Sequence, residues 1–343
     1  LFKDNQKIIE IWGAGDLADK IFDISITNTS FKNKISKYLP DFYRQLESYA
    51  DYGDTPYELD DNYIRNQDFI NEIDSTISNK HICVITGISG SGKTQLAIDY
   101  FQQKKKKYED YIWFDGSELT ESSNLRDVKK ERLGQPVNLI GSFCSHKTLL
   151  VIDNLNFKVT AHLFKDCVKG FDLGSTIIIT SQIKSEINNY VMPDYSPDSL
   201  LTMLGTSSDL AKEFIKKIKL PVVLTTIKTI SHNNNDEIEI LIKEIFDDPS
   251  SASDINARNI LKKELSKLDD KDALIRLCNT GIKKWDISLL QKYIKLQKYK
   301  NLETLSLIKI NSITKVVQIH DFIFECMQSD NEMNIFMNFL SDE

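Results

Sequence analysis

Eight consecutive residues, Gly87-Ile88-Ser89-Gly90-Ser91-Gly92-Lys93-Thr94, constrain this chain more than any other feature. They follow the spacing G-x-x-x-x-G-K-[ST], that of a loop wrapped around phosphate. Gly87, Gly90 and Gly92 let the backbone turn tightly and aim successive N–H groups at one anion, where a Cβ would block the approach. Ser89 and Ser91 complete the cradle. Lys93 brings a point charge to the β- and γ-phosphates, and the Thr94 hydroxyl is the hard oxygen donor that Mg2+ selects. Gln95 opens a helix through Leu96, Ala97 and Tyr100, whose N-terminal dipole adds to the anion site. A Gly-Ser turn before any helix would share part of this pattern. The flanks separate the two, because Ile82-Cys83-Val84-Ile85-Thr86 reads as a strand running straight into the loop.

From about Tyr57 to Pro197 short β-branched runs alternate with helical stretches. The runs are His81–Thr86, Tyr111–Phe114, Thr148–Ile152 and Ser175–Thr180. Leu149-Leu150-Val151-Ile152 and Ile177-Ile178-Ile179 are apolar without alternation, as strands buried on both faces require. This predicts an α/β core, a parallel sheet with helices on both faces. Asp153 ends one such strand 60 residues after Lys93, where a carboxylate would meet Mg2+. Lys93 and Asp153 are therefore the expected catalytic pair, and Thr94 with Asp153 the expected metal ligands. The next residue is Asn154, not an acid. An amide orients water but takes no proton, so slow or impaired hydrolysis is expected.

Past Ser199 the strand signal fades. Helices are expected at Asp209–Lys219, Pro221–Ser231 and Glu237–Phe246. After a linker over Asp247–Ser253 they continue at Ala257–Leu268, Lys271–Leu277 and Ile287–Leu296. Leu305–Ile310 and Val316–Ile319 then suit a small hairpin, the outline of a winged helix. The expected domains are thus an N-terminal segment over 1–56, a phosphate-loop domain over 57–197, a helical domain over 198–249 and a winged helix over 254–343. Asp51-Tyr52-Gly53-Asp54-Thr55-Pro56 reads as the first linker. Lys104–Lys107 reads as a solvated helix end.

Hydrophobic residues make up 41% of the 343, enough for a substantial core. A net charge of −7 argues against a general nucleic-acid coat. No apolar run approaches the ~20 residues of a membrane span, and five scattered cysteines fit a reducing, cytoplasmic setting.

In order, these motifs resemble the NB-ARC (AP-ATPase) branch of the STAND signalling ATPases, over about Tyr57 to Phe324. Tyr63-Ile64-Arg65-Asn66-Gln67 is similar to the family's stretch that packs on adenine. The phosphate loop and Leu150-Val151-Ile152-Asp153-Asn154 follow. Gly174–Gln182 resembles the sensor strand, with Gln182 where the family carries Arg. Leu220-Pro221 resembles Gly-Leu-Pro, whose proline lies near adenine, and Val317-Gln318-Ile319-His320-Asp321 resembles Met-His-Asp. The resemblance implies ATP/ADP and Mg2+ as cofactors and His320 on the β-phosphate of ADP in a closed state. It implies self-assembly after exchange for ATP, with an upstream effector and a downstream sensor outside this chain. A phage- or host-derived trigger and a role in bacterial antiphage defence would follow. Leu1 in place of Met fits a middle piece, and Ile8–Phe22 weakly resembles the closing element of a nuclease-like effector, with a linker hairpin packing on the core as the plainer reading of the same residues. The alternative is an AAA+ transcription-regulator-like ATPase with a DNA-binding winged helix. Lys292 and Lys295, without any Arg, support that weakly, so nucleic acid is not an expected partner.

Overall fold

A strand with no polar side must be covered on both faces, and the unbroken aliphatic runs meet that demand at the centre of one sheet. The computed structural model describes residues 37, 51–53, 58–132, 135–234, 237–247, 257–305, 307–310 and 316–328. They fall into two compact units. The first holds the described residues before 56 with Asp68–Thr86 and Asp99–Tyr190; the second holds Pro56–Gln67, Gly87–Ile98 and the described residues from Val191 onward.

The first unit is built on the strands β1 (Asp51–Gly53), β2 (Ile82–Thr86), β3 (Asp110–Asp115), β6 (Thr148–Leu155), β7 (Thr176–Ser181) and β8 (Asn189–Val191), in the spatial order β1-β3-β6-β7-β2-β8. The first five pair in parallel. A separate antiparallel hairpin, β4 (Lys129–Arg132) with β5 (Gln135–Asn138), lies between β3 and β6 in the chain. The helices are α1 (Gln67–Lys80), α2 (Lys93–Lys104), which begins in the second unit, α3 (Leu139–Phe143) and α4 (Val168–Asp172). Residues of β2, β6 and β7 are buried almost without interruption, and Ile112, Phe114, Leu139 and Phe143 extend that core. Gly170 on α4 lies so close to Phe143 that an added Cβ would stand 2.3 Å from its ring.

Two sequence expectations change here. Asp51–Gly53, expected as linker, is an edge strand paired with Tyr111–Trp113. Of the helix end over Lys104–Lys107, Lys106 and Lys107 are exposed as expected, but Lys104 is only 12% exposed and pairs with Asp74, and Lys105 lies over the rings of Phe101 and Tyr111.

The second unit is helical. α5 (Pro197–Leu204) starts at Ser196, whose Oγ accepts from Ser199 N, and stops at Gly205 with φ +89°. α6 (Asp209–Lys217) is capped in the same way by Ser208, and α7 (Pro221–Asn234) begins on a proline that needs no N–H partner there. α8 (Ile238–Asp247), α9 (Ala257–Ser266) and α10 (Lys271–Asn279) follow. The helix expected over Ile287–Leu296 forms as α11 (Ile287–Ile294), and a further helix that was not expected, α12 (Leu296–Thr304), follows it. Lys295 between them adopts φ +67°, outside helical space. The expected hairpin forms from β10 (Ile308–Ile310) and β11 (Val316–Ile319), and β9 (Lys284–Asp286) adds a third antiparallel strand. α13 (Asp321–Met327) closes the described chain. The architecture is thus a parallel α/β sheet with helices, then a run of helices, then a small three-stranded antiparallel sheet among helices, as a winged helix has. Ile8–Phe22 and most of the linker over Asp247–Ser253 lie outside the described residues.

Candidate functional site

In the second unit the glycine loop, the start of α7 and the end of β11 surround one cavity of about 680 Å3, counted to its open mouth. The loop is shaped by its glycines: Gly90 (φ +79°) and Gly92 (φ +95°) adopt left-handed backbone, and a Cβ on Gly90 would stand 2.4 Å from Val222 Cγ1. Val222 N donates to Gly90 O at 3.3 Å, so the first turn of α7, with Pro221, is tied to the loop. Lys93 is buried and donates from Nζ to Ile88 O at 2.8 Å, across the loop's own mouth. Ser91 Oγ is buried with no hydrogen-bond partner among the described residues. A cradle that only glycine can line, holding an orphaned hydroxyl and a buried ammonium, fits a phosphate group.

The segment before α1 forms another wall. Asp60 accepts from Asn62 N at 3.0 Å in a tight turn, and its own N–H donates to Gln95 Oε1 at 2.9 Å. Asn62 Oδ1 accepts from Lys228 Nζ at 2.9 Å. Tyr63 thereby faces the cavity, whereas Ile64 is half-buried and Arg65 is exposed.

From the winged helix come His320 and Lys309. His320 caps α13: Nδ1 accepts from Phe322 N at 3.2 Å. Burial first, then the charge of Lys309, lower its pKa to about 4, against the opposing pull of Asp321 and Asp60. The ring is therefore neutral at physiological pH, and with Nδ1 accepting, Nε2 keeps the proton as a donor. Lys309 Nζ lies 3.3 Å from Asp60 Oδ2. Burial tends to raise the Asp60 pKa, but Lys309 and the Asn62 N–H outweigh it and hold that carboxyl below its ordinary value.

Tyr63, Gly90, Gly92, Gln95, Pro221 and His320 thus line one cavity. Gly87, Ser89, Ser91, Lys93 and Thr94 belong to the loop and helix turn that carry it. Asp153 and Gln182 stand in the sheet unit. Thr180 Oγ1 donates to Asp153 Oδ1 at 2.5 Å and accepts from Asn154 N at 2.8 Å, which fixes the acid at the end of β6. Asn154 has φ +62° where the β6–β7 register slips between Ile152 and Leu155. Asn tolerates that left-handed backbone better than most residues, giving its side chain a conformational rationale beside the chemical one. Gln182 is exposed just past β7.

Sequence reasoning missed Asp60, Tyr195, Thr225 and Lys309, all on the cavity wall. Asp60 sits in Leu59-Asp60-Asp61-Asn62, which reads as a turn. Lys309 alternates with Ile308 and Ile310, which reads as the solvent side of a strand.

No family model matches this chain. Nor does any curated protein match it. Among solved structures it is similar to a Walker-type ATPase of Pyrococcus abyssi at 12% identity, covering 80% of this chain and 98% of that one with a TM-score of 0.40. It is also similar to Cdc6p from Pyrobaculum aerophilum at 10% identity (86% and 98% covered, TM-score 0.31). The ORC2 protein of Aeropyrum pernix matches at 14% identity (82% and 98% covered, TM-score 0.28). No helix of the described residues is long and apolar enough to cross a membrane.

Proposed function

We propose that this chain is the nucleotide-dependent switch of a STAND-class signalling ATPase, whose exchange of ADP for ATP controls self-assembly and an attached effector in bacterial antiphage defence. One observation carries the reading: His320, far along the chain, lines the same cavity as Gly90, Gly92 and Gln95 of the phosphate loop. A side chain that donates from Nε2 into a phosphate site couples the winged helix to whatever occupies that site. Backbone N–H groups of the loop and Lys93 bind the phosphates, Tyr63 and Pro221 flank the base, and His320 favours the closed, ADP-bound state. Thr94 and Asp153 would hold Mg2+, which neutralises phosphate charge and polarises the bond to be broken. Asp153 is kept in place by Thr180, and Asn154, lacking a basic oxygen for proton transfer, makes turnover slow.

His320→Ala is the test. ADP affinity should fall about tenfold, the scale of one hydrogen bond to a charged group, and the oligomeric fraction in size-exclusion chromatography should rise. Unchanged affinity together with an unchanged size distribution would refute the switch. A second reading, an AAA+ regulator that binds DNA, is favoured by exposed Lys292, Lys295 and Lys300 around α11 and α12. Salt-dependent DNA binding by the whole chain would support it.

A further inference from the structure

The cavity contains an ion pair that the switch as described does not use. Lys309 Nζ and Asp60 Oδ2 lie 3.3 Å apart, with side chains only 24% and 23% exposed. Both line the cavity with His320. Asp60 is moored through its N–H to Gln95 Oε1, and Gln95 directly follows Thr94, so the pair borders the helix turn that leaves the phosphate loop. Its separation exceeds the 2.7–2.9 Å of a tight charge-assisted bond. The ammonium has three donors and Asp60 engages one direction, leaving others for a second anion. A lone carboxylate there would repel polyphosphate; beside Lys309 it is neutralised.

We propose that Lys309 is a second cationic ligand for the terminal phosphate of the bound nucleotide, and that Asp60 sets its strength by competing for the same ammonium. The proposal rests on the nucleotide-switch reading and adds to it a residue that distinguishes di- and triphosphates from monophosphates. Lys309 acts on charge beyond the α-phosphate. Asp60 opposes it, because each gain in contact between Lys309 and phosphate is a loss of contact with the carboxylate.

Titration calorimetry of the full chain with ADP, ATP and AMP tests this. Lys309→Gln should weaken ADP and ATP about tenfold and leave AMP within about twofold. Asp60→Asn keeps the acceptor for Asn62 N, removes the competing charge, and should tighten ADP several-fold. A Lys309→Gln chain that binds ADP as the wild type does, or that loses ADP and AMP by the same factor, overturns the proposal and leaves Lys309 as a structural staple. Weaker ADP binding by Asp60→Asn overturns the competition and needs no Lys309 variant to fold. Wild-type chain that binds none of the three nucleotides would sink the switch reading and this proposal together.

Discussion

Both units of this protein bury polar groups, but they satisfy them differently. In the sheet unit most buried hydroxyls are answered by neighbours in the same unit. Ser175 Oγ accepts from Thr148 N, Thr176 donates to Tyr108, and Thr180 serves both Asp153 and Asn154. Thr86 Oγ1 and His146 Nδ1 are exceptions. Around the cavity of the second unit polar groups keep bonding capacity in reserve: buried Ser91 Oγ of the adjoining loop has no partner among the described residues, His320 keeps a donor to spare, and Lys309 is held at only 3.3 Å from Asp60. A closed network makes a rigid platform, whereas an open one makes a site whose stability depends on what fills it. On the proposed reading, the nucleotide site belongs to the second unit and the scaffold to the first.

Three substitutions would break or sharpen that contrast. The largest effect is expected from Gly90→Ala, which must find room 2.4 Å from Val222 Cγ1 on left-handed backbone. Nucleotide affinity should fall on the order of a hundredfold by calorimetry. Hydrogen exchange in β6 and β7 should stay as slow as in the wild type. Gly170→Ala is its converse. With an added Cβ 2.3 Å from Phe143, the sheet unit should lose about 2 kcal/mol in urea unfolding. Affinity measured below the transition should change little. If either variant damaged both units alike, the contrast would fail.

The smallest effect belongs to Glu264. Its carboxylate is 1% exposed, with Lys267 Nζ at 3.0 Å, the charge of Lys263 as a lesser attraction and that of Glu244 opposing. Burial, only partly offset by Lys267, raises its pKa. A folded-state acid with a raised pKa contributes fully when protonated, below its unfolded value, and that contribution is lost as pH rises through the folded value. Glu264→Gln should therefore stabilise the chain at pH 7 by about 1 kcal/mol and flatten the slope of stability against pH above the ordinary Glu range. Equal denaturation midpoints for variant and wild type across pH 4–8 would contradict this.

The sheet was readable because its signals are local. Ile177-Ile178-Ile179 and Leu149-Leu150-Val151-Ile152 need no distant information to be recognised as buried strands, and the glycine loop announces its own geometry. The edge strand Asp51–Gly53 was not readable, since an acid, a tyrosine and a glycine become a strand only against Tyr111–Trp113. The same holds for β4, whose Lys129-Lys130-Glu131-Arg132 has no apolar side. Lys295 hid the break between α11 and α12, because lysine favours helix and nothing local signals φ +67°. Of the cavity, the loop, Tyr63, Pro221 and His320 were recognisable by motif. Asp60 and Lys309 were not, because an ion pair between residues about 250 positions apart leaves no spacing to detect.

The central claim is that the cavity of the second unit holds an adenine nucleotide by its phosphates. Chain purified in the folded state, denatured and analysed by ion-exchange chromatography should release ADP in near-stoichiometric amount. Chain that releases no nucleotide, and that also takes up no added ADP or ATP in the presence of Mg2+, would contradict it.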